Sequence, residues 1–234
     1  MKPDVISWRF LRLAGRIALA RNADTTVIGL DHVPPRGPVI VAARHYHHLF
    51  DGALLVAAID RPTHVVAGLD WIANPLVHKA MTRLCAIARW PVVIRPEHPD
   101  RPHPIMAGER RAILRKGARD VAALLLEDRV VIVFPEGYPN VDPGFTPKRC
   151  DEMLPFEQGY LRLAMIAQRS GARTITVVPA GFEYERRGGG RWRITLRFGE
   201  PRHLAPGGET TGLAEQIEAD VIRLSTPPAA RNDI

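Results

Sequence analysis

The stretch Val130-Val131-Ile132-Val133-Phe134-Pro135-Glu136-Gly137 decides the fold class of this 234-residue chain. Its five consecutive apolar residues, with no alternation of apolar and polar side chains, are typical of a strand that is buried on both faces. Such a strand lies inside a sheet that helices cover on each side, and the Pro-Glu-Gly that follows predicts an abrupt turn at its end. The sequence therefore predicts the α/β class, as a sandwich with a mostly buried central sheet flanked by helices.

The remainder of the chain alternates between short β-branched runs and longer periodic runs. The runs typical of strands are Thr26–Leu30, Val39–Ala43, Thr63–Ala67, Val92–Arg95, Val130–Phe134, Thr174–Pro179 and Trp192–Phe198. The runs typical of helices are Asp51–Ile59, Trp71–Arg89, Ala107–Glu127, Phe156–Ser170 and Thr211–Ser225. Because no linker or repeat interrupts this pattern, we expect one domain over residues 24–234, preceded by a helix over residues 1–23.

The N-terminal segment has the pattern of a basic amphipathic helix. Residues 3–22 place three arginines on one side of a helix and four apolar residues on another. The arginines are Arg9, Arg12 and Arg16, and the apolar residues are Ile6, Phe10, Leu13 and Ile17. This pattern is typical of a helix in a membrane interface, with the arginines facing anionic lipid. The alternative interpretation is a helix that packs its apolar face on its own domain, and the two interpretations are compatible.

The chain carries a net charge of +7, from 32 Lys and Arg against 25 Asp and Glu, and 28 of the 32 cations are Arg. This excess predicts a partner of negative charge: an anionic lipid surface, a phosphorylated metabolite or nucleic acid. The arginines are scattered and only 6% of the residues are aromatic, which makes nucleic acid the least favoured of the three. One hypothesis is therefore a non-enzymatic protein that binds an anionic membrane.

The cysteines and the apolar runs bear on the compartment. Cys85 and Cys150 lie 65 residues apart, which excludes a disulfide framework and a Cys-x-x-Cys pair. Apolar runs such as Ala53–Ile59 and Val121–Leu126 are far shorter than the ~20 residues that span a bilayer. We therefore expect a cytoplasmic protein without a membrane span.

A cluster of His and Asp follows the second predicted strand, in residues 44–52, which read Arg-His-Tyr-His-His-Leu-Phe-Asp-Gly. α/β folds place their chemistry at such junctions between the end of a strand and the start of a helix. An imidazole that is oriented by a carboxylate can take a proton from a hydroxyl as that hydroxyl attacks a carbonyl. The alternative is a metal-dependent hydrolase with His45, His47, His48 and Asp51 as the ligands.

Four motifs, taken in order, resemble the blocks of the glycerolipid acyltransferase family, which includes the 1-acylglycerol-3-phosphate (lysophospholipid) acyltransferases. They are the cluster of residues 44–52, Val92-Val93-Ile94-Arg95, Phe134-Pro135-Glu136-Gly137 with Pro155-Phe156-Glu157-Gln158-Gly159, and Val177-Val178-Pro179-Ala180-Gly181. The resemblance covers roughly residues 24–200, and it implies that residues 24–234 form an acyltransferase-like catalytic domain.

The resemblance implies transfer of a fatty acyl group from an acyl thioester, acyl-CoA or acyl carrier protein, to a hydroxyl of a lysophospholipid or glycerol-phosphate acceptor. It assigns His45 as the general base and Asp51 as the residue that orients it. It assigns Arg95 and Glu136 to the polar head of the acceptor, and the substrate-binding residues it implies are Arg95, Phe134, Pro135, Glu136 and Gly137. It implies no metal and no cofactor beyond the thioester co-substrate. Members of the family typically lie at the cytoplasmic face of a membrane, so we expect a peripheral protein on the inner face of the cell membrane, with the anionic membrane surface as a partner.

The sequence departs from the family pattern at two places. Five residues separate His45 from Asp51, where the family has four, and His47 stays open as the alternative base. The family commonly has Thr-Arg after the Glu-Gly of its third block, where this chain has Tyr138-Pro139. Because that Arg ordinarily contacts the acceptor phosphate, the role would fall to Arg95, Lys148 or Arg149, or the acceptor differs from lysophosphatidic acid.

Overall fold

A large twisted sheet lies at the centre of the protein and is covered by helices. The structure, a computed structural model, describes residues 3–72, 74–95, 107–208 and 210–226. Its strands are β1 (Ala23–Ile28), β2 (Val39–Ala43), β3 (Thr63–Val65), β4 (Ala67–Gly68), β5 (Val92–Val93), β6 (Val130–Val133), β7 (Ile175–Arg186), β8 (Trp192–Phe198) and β9 (Arg202–Leu204). Its α-helices are α1 (Pro3–Asn22), α2 (Phe50–Ala58), α3 (Pro75–Ala88), α4 (Ala107–Leu126), α5 (Gly159–Arg169) and α6 (Thr211–Ser225).

The strand order of the large sheet is β1-β8-β7-β2-β6-β3, with β9 paired to β7. Strand β2 is parallel to its two neighbours β6 and β7, and β6 is parallel to β3. Strands β8 and β9 are antiparallel to β7, and β4 and β5 form a small parallel pair of their own. Parallel strands need crossover connections, which place helices over the faces of the sheet.

The residues of β2 alternate between two hydrophobic cores. Val39 and Val41 pack on one face of the sheet with buried residues of α1 and α2. Ile40 and Ala42 pack on the other face with buried residues of α4, α5 and α6. Strand β6 divides in the same way, and every residue of the two strands is buried. The α/β sandwich with a buried central sheet, predicted from the apolar run of β6, is confirmed.

The main differences from the predicted elements have local causes. The predicted strand over residues 174–179 continues to Arg186, because beyond Pro179 it pairs antiparallel with β8. The predicted helix over residues 71–89 begins at Pro75, because the Asn74 side chain accepts the N–H groups of the first turn and Pro is well suited to the first helical position. The predicted strand over residues 63–67 divides into β3 and β4, which lie in different sheets, and the short strand β9 was not predicted. The division at residue 23 stays a prediction, and residues 1–2 and 227–234 lie outside the described residues.

Helix α1 packs on α2 through a face that the sequence prediction did not single out. Trp8 and Leu19 are buried in the core on this face. Arg12 Nε donates to the carbonyl oxygen of Ala57, near the end of α2, at 3.1 Å, and Arg16 Nη2 donates to the same oxygen at 3.4 Å. The expectation that Arg12 and Arg16 face lipid is therefore wrong, because their guanidinium groups bind a carbonyl at the end of α2, where cations are favoured.

The four apolar residues predicted to share one face of α1 are exposed. We call them the outer ridge of α1: Ile6, Phe10, Leu13 and Ile17, with exposed fractions of 52%, 68%, 58% and 43%. The interpretation in which this face packs on its own domain is therefore wrong. Neighbouring helix α3 also exposes Leu76, Val77 and Ile87.

Among the described helices, none combines the length and the apolar character needed to cross a membrane.

Candidate active site

The predicted site residues His45, Asp51 and 134–137 come together at the carboxyl ends of β2 and β6. Ala42 of β2 is paired with Val133 of β6, so the segments that follow the two strands lie side by side. The His45 ring stacks on the Phe134 ring, with centroids 4.2 Å apart and planes 18° apart. Sheets of this kind place their ligands beyond the carboxyl ends of the strands.

Asp51 is fully buried in the first turn of α2 and accepts four hydrogen bonds. Its Oδ2 accepts His45 Nδ1–H at 3.0 Å. The same oxygen accepts the backbone N–H groups of Tyr46 at 2.6 Å and His47 at 2.8 Å. Its Oδ1 accepts the Tyr184 hydroxyl at 2.5 Å. The turn is thus wrapped around the carboxylate, and this explains how five intervening residues still bring the His45 ring to Asp51.

His45 presents one ring nitrogen to Asp51 and the other away from it. Because Nδ1 donates to the carboxylate, Nε2 carries the free lone pair of the neutral ring. The His45 side chain is 14% exposed, against 0% for Asp51. The pair therefore combines a buried carboxylate with a partly open imidazole, the arrangement that a general base requires.

His47 has a structural contact that occupies its ring. Its Nδ1 accepts the backbone N–H groups of Leu49 at 3.2 Å and Phe50 at 3.4 Å, at the start of α2. Burial lowers the pKa of His47 to about 4, and the neighbouring His48 lowers it as well. Of the two histidines that the sequence left open, the structure brings the ring of His45 to Asp51.

The proposed metal ligands do not converge. His48 Nδ1 donates to the carbonyl oxygen of Val141 at 3.1 Å, while His47 Nδ1 accepts backbone N–H groups. Within the ranges that the structure describes, no three His, Cys, Asp or Glu residues are grouped so as to hold a metal ion. The geometry of these side chains therefore gives no support to the metal-dependent hydrolase.

Residues 134–137 form a tight turn at the end of β6. The Gly137 N–H donates to the carbonyl oxygen of Phe134 at 3.0 Å. Gly137 has a φ of 75°, a conformation that favours glycine. The carbonyl oxygen of Pro135 accepts the N–H of Glu157 at 3.0 Å, which ties the turn to the segment before α5.

Glu136, which the family resemblance assigns to the acceptor, is buried beneath the turn with 2% of its surface exposed. Its carboxylate accepts the backbone N–H of His45 and forms an ion pair with Lys148. Burial lowers the pKa of Lys148, and the Glu136 carboxylate opposes this effect. The assignment of Glu136 to the acceptor stays a prediction, and its carboxylate is engaged by the His45 backbone and by Lys148.

Arg95 is enclosed by two carboxylates. Its Nε donates to Asp70 at 2.8 Å and its Nη1 donates to Asp142 at 3.0 Å. Its guanidinium lies over the ring of Tyr138, at 4.7 Å from the centroid, which is a cation–π contact. The side chain is only 7% exposed. Binding of the acceptor phosphate by Arg95 stays a prediction, and the structure already pairs this cation with Asp70 and Asp142.

Two residues of the site were missed or given another role at the sequence level. Tyr184, on β7, donates to Asp51, and burial together with the Asp51 carboxylate raises the pKa of Tyr184 well above its usual value. Its hydroxyl therefore stays protonated and available as a donor. Lys148 was considered as a phosphate ligand, whereas its Nζ donates to the carbonyl oxygen of His45 at 2.8 Å. The alternating Phe-Glu-Tyr-Glu of residues 182–185 could have signalled a longer strand, but no local pattern links it to Asp51.

A family model described as acyltransferase matches residues 24–183, which is more than half of the chain. The chain belongs to the acyltransferase family. This match confirms the resemblance stated from the sequence, and the protein is an acyltransferase. No curated protein gives a significant match.

The fold of this acyltransferase is similar to that of a solved enzyme, the 1-acyl-sn-glycerophosphate (LPA) acyltransferase PlsC from Thermotoga maritima. The TM-score is 0.57 at 20% sequence identity, and the match covers 92% of this chain and 77% of that chain. At this identity the likeness is one of fold, and it agrees with the sandwich predicted from the sequence.

Proposed function

We propose that this acyltransferase moves a fatty acyl group from an acyl thioester to a hydroxyl of a lysophospholipid or glycerol-phosphate acceptor, with His45 as general base and Asp51 as the residue that orients it. The donor is acyl-CoA or an acyl group carried as a thioester on acyl carrier protein. The observation that carries the proposal is the 3.0 Å contact between His45 Nδ1 and Asp51 Oδ2 beyond the end of β2. Acyl transfer to a hydroxyl needs a group that removes the hydroxyl proton, and an imidazole oriented by a carboxylate supplies it.

The reaction requires two proton transfers at one nitrogen. His45 Nε2 takes the proton of the acceptor hydroxyl as the hydroxyl oxygen attacks the thioester carbonyl carbon. The C–S bond then breaks, and the departing sulfur receives the proton from His45 Nε2 as the free thiol. An ester and a thiol are formed, and His45 returns to its neutral state. Asp51 keeps the proton on Nδ1 and stabilises the imidazolium that forms between the two transfers.

The choice of acceptor rests on the family and on the fold. The structural neighbour from Thermotoga maritima is named for 1-acyl-sn-glycerophosphate, a lysophospholipid. We extend the lysophospholipid class to this chain, together with the glycerol-phosphate class that the sequence resemblance implies.

Product analysis tests the proposed reaction. Purified protein is incubated with a pool of acyl-CoA species and a panel of lysolipids, and the products are followed by mass spectrometry and by a thiol assay, with and without a chelator. We expect an acylated lipid and one thiol for each ester formed, and we expect the same yield with and without the chelator. Free fatty acid without acylated lipid would contradict acyl transfer, and a chelator-sensitive hydrolysis would favour the metal-dependent hydrolase.

We further propose that the protein lies peripherally on the inner, cytoplasmic face of the cell membrane and that the outer ridge of α1 contacts the lipid. A row of four large apolar side chains is costly to expose to water, and transfer of each side chain into an apolar environment is favourable by ~1.5–3 kcal/mol. The same helix carries exposed Arg9 and Arg21, which suits an anionic surface. A lysophospholipid acceptor would itself reside in that membrane.

Vesicle co-sedimentation tests this placement. Phe10→Asp is compared with Ile222→Asp, which changes a residue of 46% exposure on α6, on the opposite face of the sheet. We expect Phe10→Asp to weaken binding to anionic vesicles about 10- to 100-fold, and Ile222→Asp to bind like the wild type. Equal binding of the wild type and Phe10→Asp would contradict the proposed surface.

A further inference from the structure

Glu136 and Lys148 form an ion pair in which neither side chain has exposed surface. Lys148 Nζ lies 2.5 Å from Glu136 Oε2. The same carboxylate oxygen accepts the backbone N–H of Leu154 at 3.1 Å, so the pair is held in the loop that precedes α5. This places two opposite charges directly beneath the segment that carries His45.

The Glu136–Lys148 pair bonds the backbone of His45 on both sides of its Cα. Glu136 Oε1 accepts the His45 N–H at 2.6 Å. Lys148 Nζ donates to the His45 carbonyl oxygen at 2.8 Å. One ion pair therefore fixes the two peptide groups of His45, and with them the direction in which its side chain leaves the backbone.

The donors of Lys148 are all engaged in this arrangement. An ammonium group has three N–H donors. Its acceptors here are Glu136 Oε2, the His45 carbonyl oxygen and Asn140 Oδ1, the last at 3.4 Å. A substrate phosphate at this nitrogen would have to displace one of them.

A buried ion pair contributes little net stability, because desolvation of the two charges offsets their attraction. Its value lies in the geometry that it specifies. A catalytic group must be held within ~0.5 Å of its productive position, and a misplacement of ~1 Å can lower the rate about 100-fold. We propose that Glu136 and Lys148 are positioning residues that hold His45 in the orientation from which its ring reaches Asp51 and the acceptor hydroxyl. This inference rests on the proposed role of His45 as general base.

Two variants separate positioning from substrate binding. Lys148→Met removes the bond to the His45 carbonyl and leaves Glu136 buried without its counter-ion. The double variant Glu136→Gln/Lys148→Met leaves neither charge of the pair, so it tests the inference even where the single variant does not fold. Its Gln oxygen keeps an acceptor for the His45 N–H. Circular dichroism selects folded protein before acyl-CoA and a lysophospholipid are added.

The expected result is a change in kcat rather than in KM. If the pair positions His45, kcat falls about 10- to 100-fold and the acceptor KM changes less than about three-fold. A raised acceptor KM at wild-type kcat is the result expected for a phosphate ligand, and it would overturn the inference. Wild-type values of both constants in the folded double variant would also overturn it.

Amide hydrogen exchange supplies a measurement that does not depend on catalysis. The double variant Glu136→Ala/Lys148→Met removes the acceptor of the His45 N–H and leaves neither charge of the pair, so we expect the His45 amide to exchange at least about ten-fold faster in it than in the wild type. The Arg44 amide, which donates to Ala180 in the sheet, should keep its wild-type rate. Unchanged exchange at His45 would overturn the inference. A wild-type protein that transfers no acyl group would overturn the proposed function, and exchange at His45 would still decide whether the pair holds this residue.

Discussion

Replacing His47 with Asn separates two roles, catalytic base and support for the start of α2. His47 Nδ1 accepts the N–H groups of Leu49 and Phe50. An Asn oxygen is a good acceptor at the start of a helix, so His47→Asn keeps an acceptor there and removes the titrating ring. Because the ring that contacts Asp51 belongs to His45, we expect the variant to keep most of its acyl-transfer activity.

The expected size of the effect on stability follows from the pKa of His47. Burial lowers this pKa from the ordinary 6.5 to about 4 in the folded protein. The unfolded chain therefore binds the proton more readily, and the contribution of neutral His47 to stability is fully present above about pH 6.5 and is lost as the pH falls toward 4. The gap of about 2.5 between the two pKa values corresponds to ~3 kcal/mol for one proton.

Urea unfolding of the wild type and His47→Asn, followed by tryptophan fluorescence, measures this contribution. Between about pH 7 and about pH 4.5, the wild type should lose ~2.5 kcal/mol more of its free energy of unfolding than the variant. His47→Ala is the control without the acceptor, and it should be ~1 kcal/mol less stable than His47→Asn at about pH 7. An equal pH dependence in the wild type and His47→Asn, or a folded His47→Asn without activity, would refute the reasoning.

Two further substitutions test contacts of β7. Tyr184→Phe removes a hydrogen bond to Asp51 worth ~1.5–3 kcal/mol, so turnover should fall about ten-fold or more. The control is Tyr46→Phe, because the Tyr46 ring stacks on that of Tyr184 and its backbone bond to Asp51 is kept in the variant, so turnover should fall much less. Equal losses of turnover in the two variants would contradict the role of Tyr184. Gly181→Ala would place a Cβ 2.4 Å from the backbone of Leu224 on α6, so thermal unfolding should show a loss of ~1–3 kcal/mol or more, and an unchanged Tm would count against this close approach.

The fold class could be predicted from the sequence because burial on both faces leaves a local pattern. The run Val130–Val133 has no polar alternation, and it proved to be a central strand. The full length of β7 could not be predicted in the same way. Beyond Ala180 this strand leaves its parallel neighbour and stays paired with β8, and a change of partner depends on residues far away in the sequence.

The pairing of His45 with Asp51 could be predicted because the two residues are close in sequence and share one turn. The environment of the charged residues could not. The family resemblance assigned Glu136 and Arg95 to the acceptor, whereas the structure shows each paired with residues from other segments. Residue type indicates what a side chain can bind, but the three-dimensional fold decides which partner is within reach, as with Tyr184, which lies 133 residues from Asp51.

The rate of thiol release from acyl-CoA by His45→Ala, in the presence of a lysophospholipid acceptor, tests the central claim most directly. General base catalysis contributes about 10²- to 10⁴-fold, so the variant should release thiol at least about 100-fold more slowly than the wild type while keeping its urea unfolding transition. Release at the wild-type rate by folded His45→Ala would contradict the role of His45 as the base.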